Sequence, residues 1–360
     1  MEQQINAALP PQPQVIPDAE ERRQIRQRYN KAALVILLNS AIFNLLAKGV
    51  LYLIAMGYAG EFSLSAVSRG LMLFKENDLL YTLFACLAPI ICETAAILTG
   101  IKLFKLDFKP MFTRDGFDGK TMLKLLTLCI GLQTASSLIV TFVEAILSRF
   151  GLKSPTADLT GTTSAAANVF LYFYACLLGP VLEELLYRGV LLQSMRKYNE
   201  RFAIFLSAVI FGLMHQNYQQ FVLGFLVGIP LAVVVIKSGS LLPSIFAHII
   251  INTSSMLFSC WIQYTSPGFL ESALSGSIPD LSALSAGGMV AILCNAVFHY
   301  GFMLAALIVG IAVLVKGGNM SRPTPAGKAR TWPIFITSAG WWAVFVSYIF
   351  LDFVLPFIKL

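Results

Sequence analysis

In the run GPVLEELLYRGVL two glutamates, Glu183 and Glu184, stand side by side and Arg188 follows, all inside an otherwise apolar stretch. On a helix Glu184 and Arg188 are four residues apart and share a face, so carboxylate and guanidinium can pair. Glu183 points about 100° away, with Tyr187 four residues beyond it, and has no such cation. An unpaired carboxylate facing an apolar interior is suited to take a proton from water. Glu183 is therefore the candidate general base, and Glu184 with Arg188 an orienting pair. The competing reading places all three at a cytoplasmic helix end, wetted by headgroups, with no chemistry.

The chain has three histidines, His215, His248 and His299, and every one falls in an apolar segment. In FGLMH, Phe211 and His215 share a helix face; in HIIIN, His248 and Asn252 do the same. An imidazole and a carboxamide on one face can both donate hydrogen bonds to a developing oxyanion. A lone buried histidine is more often a packing group, and His299 in NAVFHY is read that way. Two buried histidines, one accompanied by Asn, close along the chain to an unpaired glutamate, favour a site. Glu93, Glu144 and Asp352 are read as structural.

The elements that hold these groups belong to a membrane. The chain of 360 residues is 57% hydrophobic and 12% charged, whereas a soluble chain is about a quarter charged. Nine apolar segments can be drawn: 32–58, 78–101, 121–148, 164–187, 202–217, 219–236, 241–262, 287–315 and 332–356. The expectation is an all-α polytopic bundle of about 8 to 9 spanning helices. Most of the 26 lysines and arginines fall on one side if the N-terminus is cytoplasmic, so the net charge of +7 reads as an orientation signal and not as a nucleic-acid surface. The six cysteines show no CxxC spacing and are read as reduced packing residues. The divisions expected are a disordered basic tail over 1–31, accessory helices over 32–155, a core over 156–262, and an outer loop with C-terminal helices over 263–360.

The pieces EELLYR, FGLMH and HIIIN together resemble the EExxxR, FxxxH and HxxxN/D motifs of the CPBP or Abi family, the CAAX-prenyl-protease-like membrane proteins. The resemblance implies an intramembrane endopeptidase in which Glu183 activates water together with His215, while His248 and Asn252 stabilise the oxyanion. Glu184, Arg188, Tyr187 and Phe211 are supporting residues. It implies no required cofactor; zinc or another divalent metal, if present, would use Glu183, His215 and His248. The implied partners are a membrane-associated or lipidated peptide or protein substrate and the bilayer, with no nucleic acid, in the plasma membrane of a bacterium. Other intramembrane protease types lack their motifs here, with no HExxH, GxGD or GxSxG.

Two rivals come from other classes: a non-catalytic scaffold or immunity protein of the same fold, and a proton-coupled transporter, against which the absence of an internal repeat counts. Helix rise also raises a difficulty. Glu183 and His248 fall near the cytoplasmic ends of their segments, while His215 lies roughly 20 Å deeper. A common site requires the helix after Arg188 to run on, or the fifth segment to tilt or start late.

Overall fold

The computed structural model describes residues 18–113, 118–150, 164–269, 281–315 and 331–349. Every regular element among them is helical. We number the helices used below α1 (Ala19–Ala59), α2 (Val67–Lys75), α3 (Asp78–Phe104), α4 (Gly119–Arg149), α5 (Ala165–Met195), α6 (Glu200–Leu213), α7 (Tyr218–Ser238), α8 (Leu242–Thr265), α9 (Ala286–Val315), α10 (Trp332–Ile336) and α11 (Ala339–Ile349).

Among the described residues seven helices are long and apolar enough to cross a membrane: α1, α3, α4, α5, α7, α8 and the Ala286–Ala306 part of α9. Their outward faces carry large exposed apolar side chains such as Leu45, Leu87, Phe142 and Leu293. That is the pattern of helices solvated by lipid, with backbone groups satisfied inside each helix. The fold is an all-α polytopic bundle, as expected.

Several boundaries differ from the sequence reading. The basic stretch assigned to the tail, read as a short helix following a disordered lead, is helical from Ala19 and runs on into the first apolar segment. Asp18 caps it, accepting the Glu21 amide at 2.7 Å, and Ile25 and Tyr29 are buried. Residues 1–17 lie outside the described set. The short α2, an unanticipated helix, folds back on α1, and Gly70 lies so close to Ala55 that a side chain there would meet its carbonyl. The fifth segment is a helix of 14 residues, too short to span. The described part of the ninth segment is two short helices, α10 and α11, and not one span.

The most consequential difference is that α5 continues to Met195, where apolar character suggested an end at 187. Within it, Tyr174–Leu178 and Glu184–Leu192 are π-helical, with i→i+5 bonds that widen the turn. Carbonyls in the wide turn find side-chain donors: Ser207 Oγ donates to Tyr187 O at 2.9 Å, and Gln193 Nε2 to Arg188 O at 3.2 Å. In an apolar bundle such partners are what make a widened helix tolerable.

The extension resolves the depth difficulty. Glu183 lies roughly 15–18 Å from the Met195 end, and His215, just past the far end of α6, roughly 20 Å from the same side. His248 is nearer the start of α8, but that start is itself tucked inward. Ser240 and Leu241 are fully buried, and the Leu241 amide donates to Met111 O at 2.7 Å, beneath the loop 109–112. At that basic end Arg28 of α1 donates to Ser194 O and its guanidinium lies 5.1 Å over the Phe104 ring, tying α1, α3 and α5 together.

Candidate active site

Glu184 and Arg188 form the pair their spacing suggested, with Arg188 Nη1 2.9 Å from Glu184 Oε1 and both side chains fully buried. A buried ion pair must satisfy its remaining donors. Arg188 Nη2 donates to Gly228 O on α7 at 3.3 Å, and the guanidinium stacks 4.2 Å from the centre of the Phe211 ring. Gly228 permits this approach, since a Cβ there would stand 3.2 Å from Nη2.

His248 sits between the two glutamates. Its Nδ1 is 3.1 Å from Glu184 Oε1 and its Nε2 is 3.5 Å from Glu183 Oε2. A carboxylate accepts only, so the Glu184 contact places the Nδ1 hydrogen on His248. The Nε2 edge is turned toward Glu183. Phe211 acts as the wedge of the cluster, edge-on to His215 at 5.5 Å, His248 at 5.6 Å and Tyr187 at 5.4 Å between ring centres.

His215 is held by a turn between α6 and α7. Its Nδ1 is 3.1 Å from Phe211 O, its own residue i−4 carbonyl, which leaves Nε2 as the nitrogen available to a ligand. Asn217 caps α7 by accepting the Gln220 amide at 2.8 Å, and its Nδ2 grips His215 O at 2.9 Å. Gln216 between them has φ of 55° and accepts from Lys48 Nζ at 3.2 Å. The two helices leaving this turn touch backbone to backbone: a Cβ on Gly224 would come within 2.9 Å of Gly212 Cα.

Asn252, one turn beyond His248 on α8, donates Nδ2 to Ala175 O in the first π turn of α5 at 3.0 Å. The carboxamide has a second N–H to offer. A cavity of about 390 Å³ is lined by Glu183, Phe211, His215, His248 and Asn252. That volume is in the range of ligand-binding clefts. Glu184, Arg188 and Tyr187 stand behind the wall, buried. The structure thus brings the four motif residues expected to do chemistry to one cavity, with Phe211 in its wall and Glu184, Tyr187 and Arg188 behind it.

Sequence reasoning missed Gln133 of α4 and Tyr174 of α5, which also line the cavity. A polar side chain within an apolar segment was the available signal for Gln133, whose Nε2 donates to Ser255 Oγ at 2.6 Å. Glu144 is structural as read, bonded to Gln219 on the hairpin. His299 packs against Phe258 and Phe298, in keeping with its bland reading. Asp352 lies outside the described residues. Among the described residues no three His, Cys, Asp or Glu side chains are grouped to hold an ion.

Residues 165–254 match a family model described as type II CAAX prenyl endopeptidase Rce1-like. No curated protein and no solved structure matches the chain. The match runs from the start of α5 into α8 and contains all eight motif and supporting residues. Across this quarter of its length the chain is similar to the Rce1-like endopeptidases, consistent with the resemblance to the CAAX-protease-like CPBP or Abi family carried by its motifs.

Proposed function

We propose that the chain is an intramembrane endopeptidase, hydrolysing peptide bonds of membrane-associated or lipidated peptides with the segment 156–262 as its catalytic core. The observation that carries this reading is one cavity lined by Glu183, His215, His248 and Asn252, with Glu183 within 3.5 Å of His248. A water held between Glu183 and the free Nε2 of His215 can give a proton to Glu183 as its oxygen attacks the peptide carbonyl. Asn252 and His248 then face the oxyanion as donors. For His248 this requires a hydrogen on Nε2 as well as the one on Nδ1 that faces Glu184. Glu183 passes its proton to the departing amine. No step is routed through a metal.

The test is cleavage of a panel of membrane-tethered and lipidated peptides by the full chain in liposomes, with Glu183→Ala, His215→Ala and His248→Ala beside wild type, each with and without a chelator. Loss of cleavage in all three folded variants supports the reading, and insensitivity to the chelator supports the metal-free route. Folded wild type inert on every peptide would turn the reading toward a scaffold.

A further inference from the structure

A second cavity, of about 170 Å³, lies behind the first and is lined by Asn39, Ser40, Glu93, Tyr174, Met214 and Gln216 among others. Glu93 is 3% exposed and Asn39 8%. Among the described residues neither Glu93 Oε2 nor Asn39 Oδ1 has a hydrogen-bond partner. Glu93, read from sequence as structural, therefore has no structural bond at that oxygen, and Asn44 of α1 donates to Ser40 O. A carboxyl group keeps an accepting oxygen in either protonation state and the amide oxygen accepts as well, so a small molecule that both donates and accepts can satisfy the two together. Leaving such atoms bare in an apolar bundle costs several kcal/mol each by transfer scales. Water both donates and accepts, and the cavity has room for several molecules of it.

Tyr174 and Met214 line both cavities, so one layer of side chains parts the small cavity from Glu183. Glu93 and Glu183 are close enough to feel one another's charge, and Tyr174 lies in the field of both. We propose that the small cavity is a water-binding vestibule, in which Glu93 and Asn39 hold the water that resupplies Glu183 past Tyr174 and Met214. This rests on the peptidase reading above. A peptide that fills the larger cavity displaces the water there, yet each turnover consumes one water. Its oxygen enters the new carboxyl group and carries one hydrogen with it. The other hydrogen passes by way of Glu183 to the amine nitrogen as the C–N bond breaks. Glu93 touches neither substrate nor the scissile bond and is a positioning residue.

The test compares wild type, Glu93→Gln and Glu93→Leu, all full-length in liposomes, by peptide cleavage and by radiolytic hydroxyl-radical labelling read by mass spectrometry. Cys92 lines the small cavity and not the large one, and is 2% exposed, so its oxidation reports water held there. The expected result is Cys92 oxidation in wild type, lost in Glu93→Leu. With it, kcat falls about tenfold in Glu93→Leu at unchanged KM, and Glu93→Gln, which still hydrogen-bonds water, recovers most of both signals. Cys92 left unmodified in wild type, or Glu93→Leu cleaving at the wild-type rate, overturns the vestibule. Cleavage that requires sodium also overturns it, making the cavity a cation site. If wild type cleaves nothing, the peptidase reading fails, and labelling at Cys92 alone still decides whether the cavity holds water.

Discussion

Nδ1 of His248 lies 3.1 Å from Oε1 of Glu184, the same oxygen that Arg188 Nη1 holds at 2.9 Å. One buried carboxylate oxygen thus fixes the imidazole and is itself fixed by the guanidinium. The stack Arg188–Glu184–His248 orients the face that His248 turns to Glu183, much as second-layer carboxylates orient histidines at catalytic centres.

Arg188→Met leaves the Glu184 carboxylate buried without its cation. The expected loss of stability is about 3–5 kcal/mol, read as a lower thermal midpoint in detergent. The double variant Glu184→Gln with Arg188→Met removes both charges and is expected to recover most of that midpoint while remaining impaired in cleavage, because His248 has lost its acceptor of full charge. Equal midpoints for the single and double variants would show that the pair is not the source of the effect.

Glu183→Gln and Glu184→Gln separate chemistry from architecture. Glu183 lines the cavity and its side chain is 12% exposed, whereas that of Glu184 is fully buried. Glu183→Gln is expected to keep its thermal midpoint and lose about 10²–10⁴-fold in kcat, the range for a lost general base. Glu184→Gln is expected to lower both. A Glu183→Gln enzyme that retains cleavage places the base elsewhere.

The site was legible in sequence where helix periodicity carries the information. The four-residue spacings Glu184/Arg188, Phe211/His215 and His248/Asn252 each survive as a shared face, and a polar or charged side chain in an apolar run marked every position but Phe211. The π-helical stretch over Glu184–Leu192 was not legible, because apolar patterning at 3.6 residues per turn does not encode an i→i+5 bond; the donors that stabilise it, Ser207 and Gln193, act through backbone carbonyls. The role of Glu93 was hidden for another reason. Its cavity is assembled from α1, α3, α5, the α6–α7 turn and Tyr348 of α11, and no local spacing foretells a void between five elements.

Asn252→Ala removes a donor aimed at the cavity and frees the Ala175 carbonyl that its Nδ2 now holds at 3.0 Å. The expected outcome is a fall of about 10²–10³-fold in kcat with KM little changed, as for other oxyanion donors. Loss of the bond to Ala175 lowers stability by about 1 kcal/mol. Steady-state kinetics on one cleaved peptide separates the two effects, since a purely structural role would raise KM or lower the active fraction and leave the per-site kcat intact.

Asn217 does two things in the turn that carries His215: its Oδ1 caps α7 and its Nδ2 holds the His215 carbonyl. Asn217→Asp keeps the cap, since a carboxylate accepts the Gln220 amide as well and suits the helix N-terminus, but it has no N–H for His215. Asn217→Ala loses both and is expected to cost about 1 kcal/mol in stability, the usual size of a lost N-cap. If His215 takes part in activating water, both variants lower kcat, and only Asn217→Ala lowers the thermal midpoint. The backbone contact of Gly212 with Gly224 keeps the hairpin closed in either case, so the effect shared by the two variants isolates the grip on His215 and the difference between them isolates the cap. An Asn217→Asp protein with wild-type kcat would mean that the turn needs no help from this side chain to present His215 to the cavity.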